Sequence, residues 1–542
     1  MKPFLTLHHP AAANKYYREG LWTSDTLYGL LARHASERPD APALKDGSRQ
    51  LNWLALRQWV DGVALGLKAH GLSGGDRVSI WMSNRVEAVV AFLACAREGL
   101  ACNPSLHKTY TSAEICDLLT TLSARAFVTE PGWGADRDRT DFDAMLARLP
   151  SLKVVYTPDS FPTPAANSSP PGGDADKVVY LAFTSGTTAA PKCVMHSDNT
   201  LLANARDLVR DWDHGADSVI LSLSPLSHHI AWVGVAQWLL AGGCFVTDDP
   251  PRGMSRIDWI RETRATYVLG VPTHAMDILG ELKRLGADRL GNVGVFYMAG
   301  APIPPTVASS FLQLGVKPQN VYGMTENSSH QYTHPDDDTE TIVTSCGRGG
   351  RAYEVRLFDP GDQDRLVGVG EVGQIGGRGA ALMLGYFNNQ EATERSFNSD
   401  GWFMSGDLGI MDLAGNLRIE GRLKDLIIRG GHNIYPSHIE AIALRHKDVG
   451  RVAAFPVPDD RLGERVCLAV SGTISVEELM AHLHNEGLSK YDMPEFFVRL
   501  AEFPLTASGK ILKRELVLQA RRGDIRSQPI RVDAAREKVS PQ

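Results

Sequence analysis

Residues 184–192, reading Thr184-Ser185-Gly186-Thr187-Thr188-Ala189-Ala190-Pro191-Lys192, gather hydroxyls, small side chains and one lysine into a single short stretch. Backbone N–H groups, hydroxyls and a cation on one turn are what a polyphosphate needs, because each donates to its oxygens or neutralises them. The stretch is not a G-x-x-x-x-G-K-[ST] loop, since Pro191 precedes the lysine and Cys193 follows it. Read alone, it fits a phosphate loop and an ordinary hydroxyl-rich surface loop equally well. Asn320-Val321-Tyr322-Gly323-Met324-Thr325-Glu326 places an aromatic face, a hydroxyl and a carboxylate within one turn. The plain alternative there is a strand end carrying a chance T-x-E. Adjacent His228 and His229 suggest a metal, yet no third ligand stands at a recognisable spacing and there is no H-E-x-x-H.

Positioning these groups falls to short strands alternating with helices. Apolar, β-branched or aromatic runs at 178–183, 193–196, 219–223, 267–272 and 295–298 read as strands, with further ones at 77–82, 126–128 and 154–156. Residues 21–70 read as amphipathic helix, and 88–96, 201–212, 230–240 and 307–314 as further helices. The alternation predicts βαβ units and a mainly parallel sheet, hence an α/β fold. Ala299-Gly300-Ala301-Pro302 is a small-residue turn where backbone can lie against a flat ligand. From about 341 to 420 glycines and short alternating runs predict a small β-rich subdomain. Asp336-Asp337-Asp338 reads as a solvated acidic loop. A charged connector, 422–425, separates residues 1–421 from a second, α+β domain over 426–520. The tail 521–542 is charged, poor in large apolar groups and expected to be loosely ordered.

At 542 residues the chain exceeds what one core organises, so two or more domains are expected. The net charge of −7 gives no basis for a nucleic-acid or anionic-membrane partner. Seven scattered cysteines without a C-x-x-C pair fit a reducing cytoplasm, and the N-terminus has no apolar run long enough for a signal peptide. No apolar stretch is long enough for a membrane span. Oligomeric state stays open between monomer and homodimer.

Five segments in order carry a resemblance: the loop at 184–192, Tyr322-Gly323-Met324-Thr325-Glu326, the GWFMSGDLG run from Gly401, the GRLKDLIIRGGHNIYP run from Gly421, and PLTASGK ending in Lys510. Together they resemble the adenylate-forming superfamily, from about residue 20 to 518, and are similar to bacterial medium-chain, alicyclic or aryl acid CoA ligases. The resemblance implies a large N-terminal domain of αβ layers plus a β-barrel-like subdomain, and a small mobile α+β C-terminal domain. It implies that ATP and a carboxylate give acyl-AMP and pyrophosphate, and that coenzyme A then displaces AMP.

It also implies roles. Thr184, Ser185, Gly186, Thr187, Thr188 and Lys192 would hold the β- and γ-phosphates. Tyr322 would stack on adenine beside Gly323 and Met324, with Ala299, Gly300, Ala301 and Pro302 opposite. Thr325 would bond the α-phosphate and Glu326 would hold Mg2+. Asp407 and Arg422 would take the ribose, and Lys510 would reach the reacting carboxylate and α-phosphate. Lys424 falls at the implied hinge. Gly430 and Gly431 would border the pantetheine tunnel; a plain turn between two strands is the alternative.

Ala189 and Cys193 stand where glycine is usual, and a β-carbon would be costly if either needed a positive φ. Ser405 replaces a usual threonine, and Asp492, expected at the surface, a common lysine. The place where amino-acid-activating members carry an aspartate reads Ser227-His228-His229-Ile230-Ala231-Trp232-Val233, with no acid. Burying an ammonium there would be unfavourable, so an apolar acid is expected. His228 aligns with the gate between carboxylate and thiol tunnel. His229, Trp232, Val233 and Met298 are candidate walls of the acyl pocket, with core packing as the alternative. Transfer to a carrier-protein thiol, and a non-catalytic nucleotide-binding relative, are the competing functions.

Overall fold

The computed structural model describes residues 9–165, 172–184, 191–301, 303–505 and 511–530. Ser185, Gly186, Thr187, Thr188, Ala189, Pro302 and Lys510 lie outside the described residues, as does 531–542.

By its contacts the chain divides into two compact units. The first comprises Met1–Arg356, Gly376–Phe403 and Asp412–Arg418. It holds two mainly parallel sheets. One runs Val154–Tyr156, Ala126–Thr129, Arg77–Trp81, Ala101–Asn103, Val178–Thr184, Lys192–Ser197, parallel until its last, antiparallel pair. The other runs Ser328–Tyr332, Lys317–Met324, Val295–Met298, Tyr267–Gly270, Val219–Ser222, Cys244–Thr247, Pro42–Lys45, Gln50–Asn52. Its central pairs are parallel and both outermost pairs are antiparallel. The α/β expectation therefore holds. Helix His229–Ala241 is apolar all round and almost wholly buried, and Gly242 ends it at φ +75°.

The glycine-rich stretch supplies a five-stranded sheet in the order Asp362–Leu366, Tyr353–Asp359, Gly373–Gly379, Phe403–Met411, Leu417–Arg422. The second unit comprises Leu357–Ile375, Met404–Met411 and Ile419–Gln542. There a six-stranded sheet runs from His432–Ile434 through Ile427–Arg429, Gly463–Gly472 and Phe496–Arg499 to Gln528–Pro529, with Val449–Asp459 also paired to Gly463–Gly472. Helices Pro436–Ala443, Val476–Asn485 and Lys513–Arg522 accompany it. Among the described residues no helix is long and apolar enough to cross a membrane.

Three expectations are corrected. Residues 21–70 are two helices, Leu27–Glu37 and Trp53–Ala69, interrupted by a hairpin that forms the edge of the eight-stranded sheet; Pro39 and Pro42 bar a continuous helix. Residues 523–530 are not a loose tail: Gln528–Pro529 pairs with Phe496–Arg499 and Ile525 is buried. Asp337 is not solvated. Its carboxylate pairs with Arg348 at 2.5 Å and accepts the His334 N–H at 2.7 Å.

Candidate functional site

Strand Val178–Thr184 runs antiparallel to Lys192–Ser197, with Thr184 opposite Lys192. The two strands are therefore paired as neighbours, and Thr184 donates its hydroxyl proton to the Lys192 carbonyl at 3.4 Å across the pair; residues 185–190 lie outside the described residues. Cys193 needs no positive φ. It lies inside the second strand, and its side chain is buried among Leu181, Phe183 and Met195. The sulfhydryl is small and apolar enough to serve as core. Cys193→Gly is accordingly expected to destabilise the protein by about 1–2 kcal/mol through a lost contact and a freer backbone. A fall in thermal midpoint checks this; an unchanged or raised midpoint would contradict it.

Thr325 and Glu326 sit at the tip of a second hairpin, between Lys317–Met324 and Ser328–Tyr332. The turn is tight. Met324 N–H donates to Asn327 Oδ1 at 3.0 Å, Asn327 N–H to the Met324 carbonyl at 3.2 Å, and Ser328 adopts φ +57°. A β-carbon on Gly323 would lie 1.7 Å from the Ser328 carbonyl oxygen, so only glycine fits beside the returning strand. Tyr322, half-exposed, meets the His330 ring edge to face at 5.4 Å.

Residues 383–387 join the two hairpins. Leu384 and Phe387 donate N–H bonds to Met195 and Cys193 at 2.9 and 2.7 Å, Met195 donates to Gly385 at 3.0 Å, and Tyr386 forms a bridge with Val194. Met383 N–H donates to the Glu326 carbonyl at 2.7 Å. The Tyr386 ring lies under the Lys192 ammonium at 4.6 Å, and its hydroxyl donates to Glu326 Oε1 at 2.9 Å. Burial, then the Glu326 charge, push the phenol above its usual pKa and keep it a donor. Sequence reasoning missed Tyr386. The available signal was the Gly385-Tyr386 pair ending an apolar run.

Two stacked imidazoles back the turn. His196 and His229 lie 5.6 Å apart, 17° from parallel. His196 Nε2 donates to the Thr325 carbonyl at 2.6 Å, which places the proton on that nitrogen, and Nδ1 lies 3.0 Å from the Thr200 hydroxyl. His229 reaches Tyr180 and Ser328 hydroxyls at 3.2 and 3.1 Å. Burial lowers His196 to about 4 and His229 well below the usual imidazole range, so both are neutral. His107, His214 and His274 are likewise pressed to about 4.

A histidine whose folded pKa is depressed contributes stability above its unfolded pKa of about 6.5, and that stability is lost as pH falls towards the folded value. Asp198 and Asp249, raised by burial to about 7 and about 6, act in the opposite sense but are fewer. The thermal midpoint is thus expected to fall between pH 6.5 and 4, and His196→Gln to flatten the slope. A midpoint indifferent to pH across this window would contradict the neutral stack.

His228 stands at the N-terminal boundary of the buried helix, and its ring packs on His107 at 4.5 Å, whose Nδ1 lies 3.0 Å from the Ser227 hydroxyl. Trp232 packs on Phe92 at 4.2 Å and donates its indole N–H to Leu226 at 2.6 Å. Trp232, Val233 and Met298 are all buried in the hydrophobic cores. Ala299 is buried, Gly300 takes φ +90°, and Ala301 is exposed.

In the second unit Asp407, buried on strand Phe403–Met411, pairs with Arg422 Nε at 3.3 Å. Ser405 accepts the Asp407 N–H at 3.1 Å and donates to the Ile375 carbonyl at 2.8 Å, bonds any β-hydroxyl can make, so serine is a mild change from threonine. Lys424 is exposed in a short 3-10 turn, Leu423–Asp425; partial desolvation and then the Arg422 charge lower its pKa. Gly430 and Gly431, φ +58° and +85°, form the two-residue turn between Ile427–Arg429 and His432–Ile434. Both positive values demand glycine at a primed hairpin turn. Asp492 is only partly exposed and bonds His432 Nε2 at 2.9 Å.

Residues 31–387 match the AMP-binding enzyme family and 438–510 the AMP-binding enzyme C-terminal domain. The chain is 30% identical over 534 residues to the medium-chain fatty-acid–CoA ligase of Escherichia coli (strain K12), covering 95% of this chain and 93% of that one. It is 32% identical over 521 residues to 3-[(3aS,4S,7aS)-7a-methyl-1,5-dioxo-octahydro-1H-inden-4-yl]propanoyl:CoA ligase of Mycobacterium tuberculosis (strain ATCC 25618 / H37Rv), covering 91% and 98%. Among solved structures, ATP-bound MatB from Rhodopseudomonas palustris superposes with a TM-score of 0.81 at 27% identity, over 92% of this chain and 99% of that one.

Proposed function

Because the chain belongs to the AMP-binding enzyme family, we propose that it is an acid–thiol ligase. It activates an apolar carboxylic acid with ATP to acyl-AMP and then forms the acyl-CoA thioester. The observation that carries this reading is the joining of the Lys192 hairpin to the Thr325–Glu326 turn through residues 383–387. One end supplies a cation for departing phosphates, the other a hydroxyl and a carboxylate. Phosphoryl-type substitution needs such positioning and charge neutralisation more than covalent help.

In the first half-reaction a carboxylate oxygen bonds the α-phosphorus and the α–β bridge breaks. Thr184 to Thr188 and Lys192 receive the pyrophosphate, Thr325 bonds the α-phosphate, and Lys510 neutralises the attacking carboxylate and an α-oxygen. Tyr322 stacks on adenine, opposite residues 299–302, and Asp407 and Arg422 take the ribose hydroxyls. Mg2+ favours carboxylate and phosphate oxygens; Glu326, half-exposed at a turn tip, offers a fitting ligand, and the cation would supply charge neutralisation on the triphosphate. In the second half-reaction, past His228 as the gate, the thiol sulfur bonds the acyl carbon as its S–H proton is lost to water, and the bond from the acyl carbon to the phosphate oxygen breaks so that AMP leaves with the electron pair. Residues 1–421 would form the adenylation domain, 422–425 the hinge and 426–520 the mobile domain, which turns about Lys424 to exchange Lys510 for the Gly430–Gly431 turn.

The absence of an acid along 227–233 disfavours an ammonium-bearing substrate, and the relatives above are named for a medium-chain fatty acid and an alicyclic propanoate. A medium-chain, alicyclic or aromatic acid is therefore the proposed substrate. The cytoplasm is the proposed compartment, since all seven cysteines are free thiols. Pyrophosphate exchange with a panel of linear, alicyclic, aryl and amino acids, followed by thioester detection with CoA, tests the reading. Exchange with apolar acids and CoA consumption are expected. No exchange with any acid would defeat it, and exchange without CoA consumption would favour a carrier-protein thiol.

A further inference from the structure

We propose that Tyr386 is a positioning residue of the nucleotide site: its ring seats the Lys192 ammonium and its hydroxyl orients the Glu326 carboxylate. One side chain then sets the spacing between the cation that receives the leaving phosphates and the anion that faces the metal–nucleotide. The inference rests on the reading above for what Lys192 and Glu326 contact.

The geometry leaves the side chain little freedom. Tyr386 is 5% exposed, its N–H donates to Thr393 Oγ1 at 3.0 Å, and its backbone bridges Val194 on the strand that begins at Lys192. Gly385 before it takes φ +121°, a value reserved for glycine, which turns the chain into this register. The ring thus cannot follow the lysine; the lysine must settle on the ring. Among the described residues no carboxylate pairs with Lys192, and an ammonium 4.6 Å from a ring centroid is held by the quadrupole, which leaves it able to meet phosphate. At the other end a phenol at 2.9 Å holds one oxygen of a carboxylate whose backbone carbonyl is already held by Met383. A carboxylate with one oxygen held in this way has a narrower range of orientations, which matters for a cation that demands near-octahedral oxygen geometry.

The two contacts separate by substitution. Tyr386→Phe keeps the ring and removes the hydroxyl; Tyr386→Leu removes both. Calorimetry on the full chain with ATP in EDTA, and with ATP and Mn2+, reads binding independently of turnover. For Tyr386→Phe the expected result is metal-free ATP affinity within about twofold of wild type and Mn2+–ATP affinity weakened about tenfold. In pyrophosphate exchange the half-saturating Mg2+ concentration should rise by a similar factor, with kcat at saturating Mg2+ nearly restored. Tyr386→Leu should in addition weaken metal-free ATP about three- to tenfold. In a Glu326→Gln background Tyr386→Phe should add nothing to the metal effect.

Equal metal dependence in wild type and Tyr386→Phe overturns the proposal, as does a loss confined to kcat with no change in either affinity. A wild-type protein that binds ATP no better with Mn2+ than in EDTA overturns it too. Wild-type exchange failing with every acid would instead defeat the functional reading, while the two binding measurements would still report on Tyr386.

Discussion

Lys510→Ala is expected to lower pyrophosphate exchange by at least about 100- to 1,000-fold, the loss seen when one preorganised charge or donor at a developing anion is removed. Conversion of supplied acyl-AMP and CoA to the thioester should change by no more than about threefold. The asymmetry follows from the proposed rotation about Lys424. On that proposal the long ammonium arm would be engaged while the α-phosphorus is substituted and withdrawn before the thiol attacks. Single-turnover measurements of each half-reaction distinguish the outcomes. Equal loss in both would count against a rotating domain and for a general structural role.

Gly323→Ala should do comparable damage by a different route. The added carbon would stand 1.7 Å from the Ser328 carbonyl oxygen, a backbone atom, so the two strands must part. Parting them costs the Met324–Ser328 register and the Asn327–Met324 bonds that close the turn. It also moves the Thr325 and Glu326 carbonyls off His196 and Met383. A destabilisation of about 2–4 kcal/mol is expected. Adenylation should fall by about 100-fold even below the melting transition, since displacement of a positioning group by about an ångström is enough. Wild-type activity in a folded Gly323→Ala protein would show that the turn tip does not position the reaction.

Much of this arrangement can be read from residue types and spacing. The strands flanking residues 185–190 are short apolar runs with a hydroxyl-rich break between them, and a hairpin is the simplest way to close them. Thr325 and Glu326 are recognisable because a glycine and an aromatic precede them in a turn. What stays hidden depends on pairing across long sequence separations. Tyr386 touches Lys192 and Glu326 only because residues 383–387 lie along the free edge of a strand about 190 residues earlier. The hairpin 42–52 lies within a stretch that reads as helix, and it forms because the eight-stranded sheet offers it an edge. Gln528–Pro529 has weak strand propensity and is ordered by Phe496–Arg499. Cys193 illustrates the converse. A departure from the usual glycine reads as strain in sequence and turns out to be a core residue in an extended strand.

The edge pairing of residues 383–387 also has a kinetic side. Its four amide bonds to Met195, Cys193 and Glu326 involve a short segment that belongs to no long strand, so local opening there needs far less free energy than global unfolding. The amide protons of Met383, Leu384 and Phe387 should therefore exchange with solvent through sub-global fluctuations, and ATP bound to both hairpins should slow them selectively. Occupancy of the nucleotide site would then be legible as protection in one pentapeptide that need not itself touch the nucleotide.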